Sequence, residues 1–164
     1  MLSDELIEDR VVMGERNFEA AIKIMLSRGQ QTLKIFHPDL RVGNFQSRET
    51  AELIQTFLSG GRHRQLTIIL HDAEFLASNC PHLINLLKTY GHTMKAYLTA
   101  SHAHVAQDIM VLVDDAHYLH RFHVQQARFR YVLDNPVAAS PLHQRFQELM
   151  EATASTFSTT PLGL

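Results

Sequence analysis

His37-Pro38-Asp39 and His71-Asp72 carry the side chains of this chain best suited to chemistry. Each group closes a short apolar run, at 32–36 and 66–70, that reads as a strand. A neutral imidazole beside a carboxylate suits zinc, or iron where coordination positions stay open. A protonated imidazole can instead hold a phosphate. His102 and His104 follow a third run at 94–98, and on an extended segment their rings would share one side. In an open parallel sheet, ligands bind beyond the carboxyl ends of the strands. The expected ligand-binding set is therefore His37, Asp39, His71, Asp72, His102 and His104. No cofactor is required. The one this set admits is a divalent metal, zinc first. The competing reading is that histidine and aspartate at strand ends cap turns and bond to backbone groups. The spacing has none of the specificity of paired cysteines or of His-Glu-x-x-His.

Other reactive types carry less. Eleven histidines are present, and His117, His120 and His123 form a second group that reads as a half-exposed hairpin. Cys80 is the one cysteine and precedes Pro81 at an expected helix start, where a thiol pKa can fall. It has no visible partner for nucleophilic catalysis. With no second cysteine for a disulfide, a reducing compartment is expected. Arg62-His63-Arg64 is the one local basic patch, and a solvated loop explains it.

The elements that must position these residues follow from periodicity. Ser3, Asp4 and Glu5 are placed to open a short helix that Gly14 interrupts. Phe18, Ala21, Ile22, Met25 and Leu26 fall on one helix face, ended by Gly29. Ser47 is the expected N-cap of a helix facing inward through Ile54, Phe57 and Leu58. Pro81 opens another, with Leu83, Ile84 and Leu87 inside. Strands alternating with helices imply right-handed crossovers and a parallel sheet. After residue 100 the pattern changes. Ile109 to Val113 is wholly apolar, Asp114-Asp115-Ala116 is a turn, and Tyr118, His120 and Phe122 alternate as a hairpin partner would. A further strand spans 128–133. Ser140-Pro141 starts a closing helix whose inner face is Leu142, Phe146, Leu149 and Met150.

In this order of elements the chain resembles one half of the phospholipase D-like superfamily, over about residues 18 to 152. The Ala/Ile/Leu-rich helix through Ser27-Arg28, then Leu33-Lys34-Ile35-Phe36 and a His-Pro-Asp-Leu turn, carry the likeness. So does the Ile109–Asp115 segment, placed like the strand bearing that family's signature. More narrowly, the chain is similar to a bacterial domain found alone or behind acetyltransferase domains. The resemblance implies an α/β sandwich: a central mixed, mostly parallel sheet with helices on both faces. It also implies the signature His-x-Lys-x-x-x-x-Asp, whose histidine attacks phosphorus and whose lysine holds phosphate oxygens. If Asp114 is its aspartate, the histidine and lysine positions hold Gln107 and Ile109. If Asp115 is, they hold Asp108 and Met110. Neither register supplies a nucleophile or a cation.

Composition sets the outer limits. At 164 residues the chain suits one domain, expected over 1–154 with a flexible tail at 155–164. That length buries roughly 70% of the unfolded surface, so neither metal nor disulfide is needed to fold. A net charge of -2 argues against nucleic acid as a partner. No signal-peptide pattern and no ~18-residue apolar run is present, so a cytoplasmic protein without a membrane partner is expected. The functional expectation is a non-catalytic interaction or ligand-binding domain. The alternative is a metal- or phosphate-dependent enzyme using the strand-end cluster. Because relatives in the superfamily join two halves into one site, the resemblance implies a homodimer, with Tyr118, Phe122, Phe129 and Tyr131 as surface candidates. An acetyltransferase is the other implied partner.

Overall fold

The structure, a computed structural model, describes residues 6–159. Its strands are β1 (Val12–Met13), β2 (Thr32–His37), β3 (Gln65–Leu70), β4 (Met94–Thr99), β5 (Ile109–Val113), β6 (His117–His123), β7 (Gln126–Val132) and β8 (Thr153–Thr156). Its helices are α1 (Glu15–Ser27), α2 (Arg48–Ser59), α3 (Glu74–Asn79), α4 (Pro81–Thr89) and α5 (Pro136–Glu151). The strands form one sheet in the order β1-β7-β6-β5-β2-β3-β4-β8.

The alternating first half folds as its pattern dictates, with β2, β3 and β4 parallel. The expectation of a mostly parallel sheet is corrected. Two of the seven strand pairings are parallel; β1–β7, β2–β5, β4–β8, β5–β6 and β6–β7 are antiparallel. The physical reason lies between β4 and β5. A parallel return needs a crossover of a dozen or more residues. Here a 3-10 turn, Ser101–Val105, takes that place, so β5 runs back against β2. Tight hairpins then set β6 and β7.

The sheet is covered on both faces. Phe18 and Ile22 of α1, Ile54 and Phe57 of α2, and Leu83 of α4 pack on Leu33, Ile35, Ile68, Ile109 and Val111. On the other face, Phe146 and Leu149 of α5 meet Phe36, Ile69, Met110 and Leu112. β5 is therefore buried on both sides along its whole length, as a central strand must be.

Boundaries depart from the sequence reading in three places, and a fourth is untested. The expected helix start at Ser3, Asp4 and Glu5 lies outside the described residues. Val12–Met13, before Gly14, is an edge strand against β7. α5 begins at Pro136, capped by the Asn135 side chain on the Ala138 N–H, and carries Pro141 within its first turns. Thr153–Thr156 pairs with β4, so the expected tail from residue 155 is corrected: Ser155 and Thr156 belong to the sheet. Thr-Ala-Ser-Thr, four small residues of which three are polar, gave no strand signal; the open edge of β4 recruits them.

Candidate functional site

Because β5 opposes β2, its amino end lies beside the carboxyl ends of β2, β3 and β4 and the carboxyl end of β6. One rim of the sheet thus gathers residues from five strands.

The strand-end residues expected to converge are engaged separately. His37 is fully buried, and the loop after β2 winds around it. Its Nδ1 accepts hydrogen bonds from the Asp39 and Leu40 N–H groups (3.1 and 2.9 Å), and its Nε2 donates to the Val42 carbonyl (3.0 Å). Burial lowers its pKa to about 4, although the Val42 carbonyl and the Asp39 carboxylate pull upward. The imidazole is neutral and serves the turn. Asp39 accepts from the Arg41 N–H and Asp72 from the Glu74 N–H. Both are turn bonds of the kind the competing sequence reading described.

His71 does different work. Its Nε2 lies 2.6 Å from the Ala106 carbonyl, which can only accept, so the proton sits on Nε2. Nδ1 then accepts from the Thr99 hydroxyl at 2.7 Å. Burial lowers its pKa against the upward pull of that carbonyl. His71 ties the end of β3 to the end of β4 and to the segment leading into β5. The His104 ring stacks on it, 4.7 Å between centroids. His102 is exposed. The 3-10 turn removes the extended geometry that would align His102 with His104. Among the described residues, no group of three or more His, Cys, Asp or Glu is arranged to hold a metal ion.

The motif positions are also settled by packing. The Gln107 amide donates to the His104 carbonyl. Ile109 is fully buried in the core under α1. Asp114, at positive φ in the β5–β6 turn, accepts from the N–H groups of Gln30, Gln31 and Thr32 (3.2, 2.7 and 3.0 Å). It clamps the start of β2 to the end of β5. Asp114→Ala is expected to lose on the order of 2 kcal/mol of stability, because these donors lose a charged acceptor and alanine resists the left-handed backbone. Asp114→Asn, tolerant of that backbone, should lose less. Urea unfolding of both checks this; equal losses would mean the charge, not the turn, dominates.

What the structure brings together was missed in the sequence. Asp108 is buried at the mouth of β5 and accepts from three donors. His120 Nε2 lies 2.8 Å from Oδ2, Arg145 Nε 3.0 Å from Oδ2, and Arg145 Nη2 2.6 Å from Oδ1. Burial alone would raise the Asp108 pKa, but the hydrogen bonds from His120 and Arg145 outweigh it and bring it down to about 2. The carboxylate stays ionised, so His120 must donate from Nε2. Among the described residues its Nδ1 has no hydrogen-bond partner. These groups border an open cleft of about 420 Å³, with Val105 and Phe122 on its apolar side and His123 nearby. The signal was available. A turn at 114–116 places Met110 opposite His120, which puts Asp108 diagonal to His120 on the same face.

Of the aromatic candidates, Phe129 and Tyr131 belong to the core, Tyr118 packs under α5, and Phe122 is exposed. Cys80 is buried, and burial pushes its thiol pKa up to about 11 rather than down. The Arg64 side chain folds back on the Phe57 carbonyl and ring. Among the described residues no helix is long and apolar enough to cross a membrane.

Solved structures share this architecture. The chain aligns with TrmBL2, an archaeal chromatin protein with a novel mode of DNA binding, at TM-score 0.63 and 14% identity, over 89% of this chain and 53% of that one. It aligns with Nuc, a phospholipase D family member from Salmonella typhimurium, at TM-score 0.61 and 9% identity, over 85% and 90%. For NucT from Helicobacter pylori the values are 0.57 and 14%, over 89% and 97%. The chain thus spans about half of TrmBL2 but nearly all of Nuc and NucT. At these identities the likeness establishes a phospholipase D-like fold. No curated protein matches the chain. Residues 14–158 match the family described as Domain of unknown function (DUF7931).

Proposed function

The chain belongs to the DUF7931 family, and from that premise we propose that it is a recognition domain on a phospholipase D-like fold. In this reading it binds a ligand or a protein partner at the strand-end rim, and its signature positions no longer perform phosphodiester chemistry. The observation that carries the reading is the fate of those positions. Ile109 is wholly inside the core, where no cation could reach a phosphate, and the Gln107 amide is spent on a backbone carbonyl. Asp114 is a backbone clamp. The cleft itself persists beside them. A second copy of the chain is the proposed partner, since the same rim exposes Phe122 and Val105.

The test has two arms. Purified protein should hydrolyse bis(p-nitrophenyl) phosphate no faster than buffer, and light scattering should give the mass of a dimer. Phosphodiester turnover that disappears in His120→Ala would overturn the loss of chemistry. A monomer at working concentration would remove the homodimer.

A further inference from the structure

We propose that His120 and Asp108 form a general-base dyad in the strand-end cleft, with His120 activating water for hydrolysis of a carboxylic ester and Arg145 facing the oxyanion. This goes beyond the recognition reading and uses the same cleft.

Geometry is the first support. A working base needs an orienting acceptor behind it and a free nitrogen in front. Asp108 accepts from His120 Nε2 at 2.8 Å, which leaves the Nδ1 lone pair without a partner among the described residues. Arg145 grips the same carboxylate through Nε and Nη2, so Asp108 cannot swing away. His120 and Arg145 share the oxygen Oδ2, so imidazole and guanidinium meet at one carboxylate oxygen on the border of the cleft. Arg145 Nη1 is not used on Asp108, and the side chain is 41% exposed.

Every neighbouring element leaves the base in place. Phe122 sets its ring edge-on to His120 at 5.4 Å between centroids. Arg130 is its cross-strand partner on β7, and His123 borders the cleft from the end of β6. The charged and titratable groups around His120 are thus Asp108, Arg145, Arg130 and His123.

The substrate class follows from what the cleft contains. Among the described residues no Ser, Thr, Cys or Lys lines it, so it holds no hydroxyl, thiol or amine nucleophile, and water activated by His120 attacks. Its guanidinium is already neutralised by Asp108. One further negative charge, as on a tetrahedral acyl intermediate, can be met there, whereas the multiple charges of a phosphoryl transition state would be held poorly. An ester releases an alkoxide more readily than an amide releases an amine, which suits a lone imidazole. Val105, Ala106 and Phe122 offer an apolar wall for the acyl or alcohol part.

The step balances without a cofactor. Water passes a proton to His120 Nδ1 while its oxygen bonds to the carbonyl carbon. The carbonyl π electrons move onto the oxygen facing Arg145. The intermediate collapses, the bond to the leaving alkoxide breaks, and the imidazolium returns its proton to it. The products are an acid and an alcohol.

The test is p-nitrophenyl acetate hydrolysis by wild type, His120→Gln and Asp108→Asn across pH ~5 to ~9, with melting temperature recorded for each. The wild type should exceed His120→Gln by at least about tenfold, with a rate that rises through one ionisation to a plateau. Asp108→Asn should lower kcat while KM changes little, as fits a positioning residue. If Asp108→Asn melts early, Asp108→Glu, which keeps the charge but moves the carboxylate, makes the same comparison. A stable His120→Gln with the wild-type rate overturns the proposal, as does a wild type no faster than free imidazole at equal histidine concentration. Either failure leaves the phosphodiester and mass measurements above untouched.

Discussion

Arg121→Ala is expected to lower the unfolding free energy by about 4 kcal/mol, the largest effect of any single truncation in this protein. Arg121 is the largest fully buried side chain, and it points from β6 into the core under α1. Its Nη1 and Nη2 reach the two oxygens of Glu15 at 2.6 and 3.0 Å. Nη2 also donates to the Val124 carbonyl and Nε to the His123 carbonyl. The guanidinium lies 4.7 Å from the Phe18 ring centroid. One side chain therefore fastens the first turn of α1 to the irregular end of β6. Truncation orphans two carbonyls, at roughly 1–3 kcal/mol each, and opens a cavity beside Phe18. At this chain length the melting temperature should fall on the order of 10 °C. Glu15 is half exposed, so Glu15→Gln should lose much less. Urea unfolding of the two variants checks the order. A loss under about 1 kcal/mol for Arg121→Ala would show that solvent or neighbours can replace the guanidinium.

The second large effect is on pH. Because the folded pKa of His37 is about 4 against an ordinary 6.5, the unfolded chain takes up a proton first as pH falls. The stabilisation from neutral His37 is complete above pH about 6.5 and is lost progressively down to about 4, for a total near 3 kcal/mol. His71 and His143 are also lowered by burial and act in the same direction. Asp108 acts in the same direction but in a lower window, its contribution lost only as pH falls from the ordinary carboxylate range toward 2. Urea midpoints at pH ~7 and ~4.5 measure the slope. His37→Gln should be less stable at pH ~7 yet show a flatter slope. An unchanged slope would move the effect to the other histidines.

Most of the fold was legible because α1, α2 and α4 bury regular stripes, β5 is apolar throughout and β2 and β3 are mostly apolar. What escaped was set by context. β8 is four small residues, three of them polar, made into a strand by the edge of β4. The direction of β5 depended on a 3-10 turn that no periodicity announces. His37 and His71 were legible as strand-end residues, but apart from the Thr99 hydroxyl on His71 their partners are backbone carbonyls and amides, which no side-chain pattern records. Asp108, His120 and Arg145 are 12 and 37 residues apart in sequence, and their meeting depends on hairpin register and on where α5 crosses the sheet.

The sheet is also laced. β1, from the start of the described chain, edges the half built by residues 109–132, while β8, from its end, edges the half built by residues 32–99. The β2–β5 seam between the halves joins residues up to eighty positions apart, as in Leu33 and Val113. Neither half can close its own border while the other is missing. On a ribosome, the parallel half waits for its last strand until residues 153–156 have emerged. Loop-closure entropy at the seam then sets the pace, and the domain should form late and in one cooperative step rather than in two successive pieces.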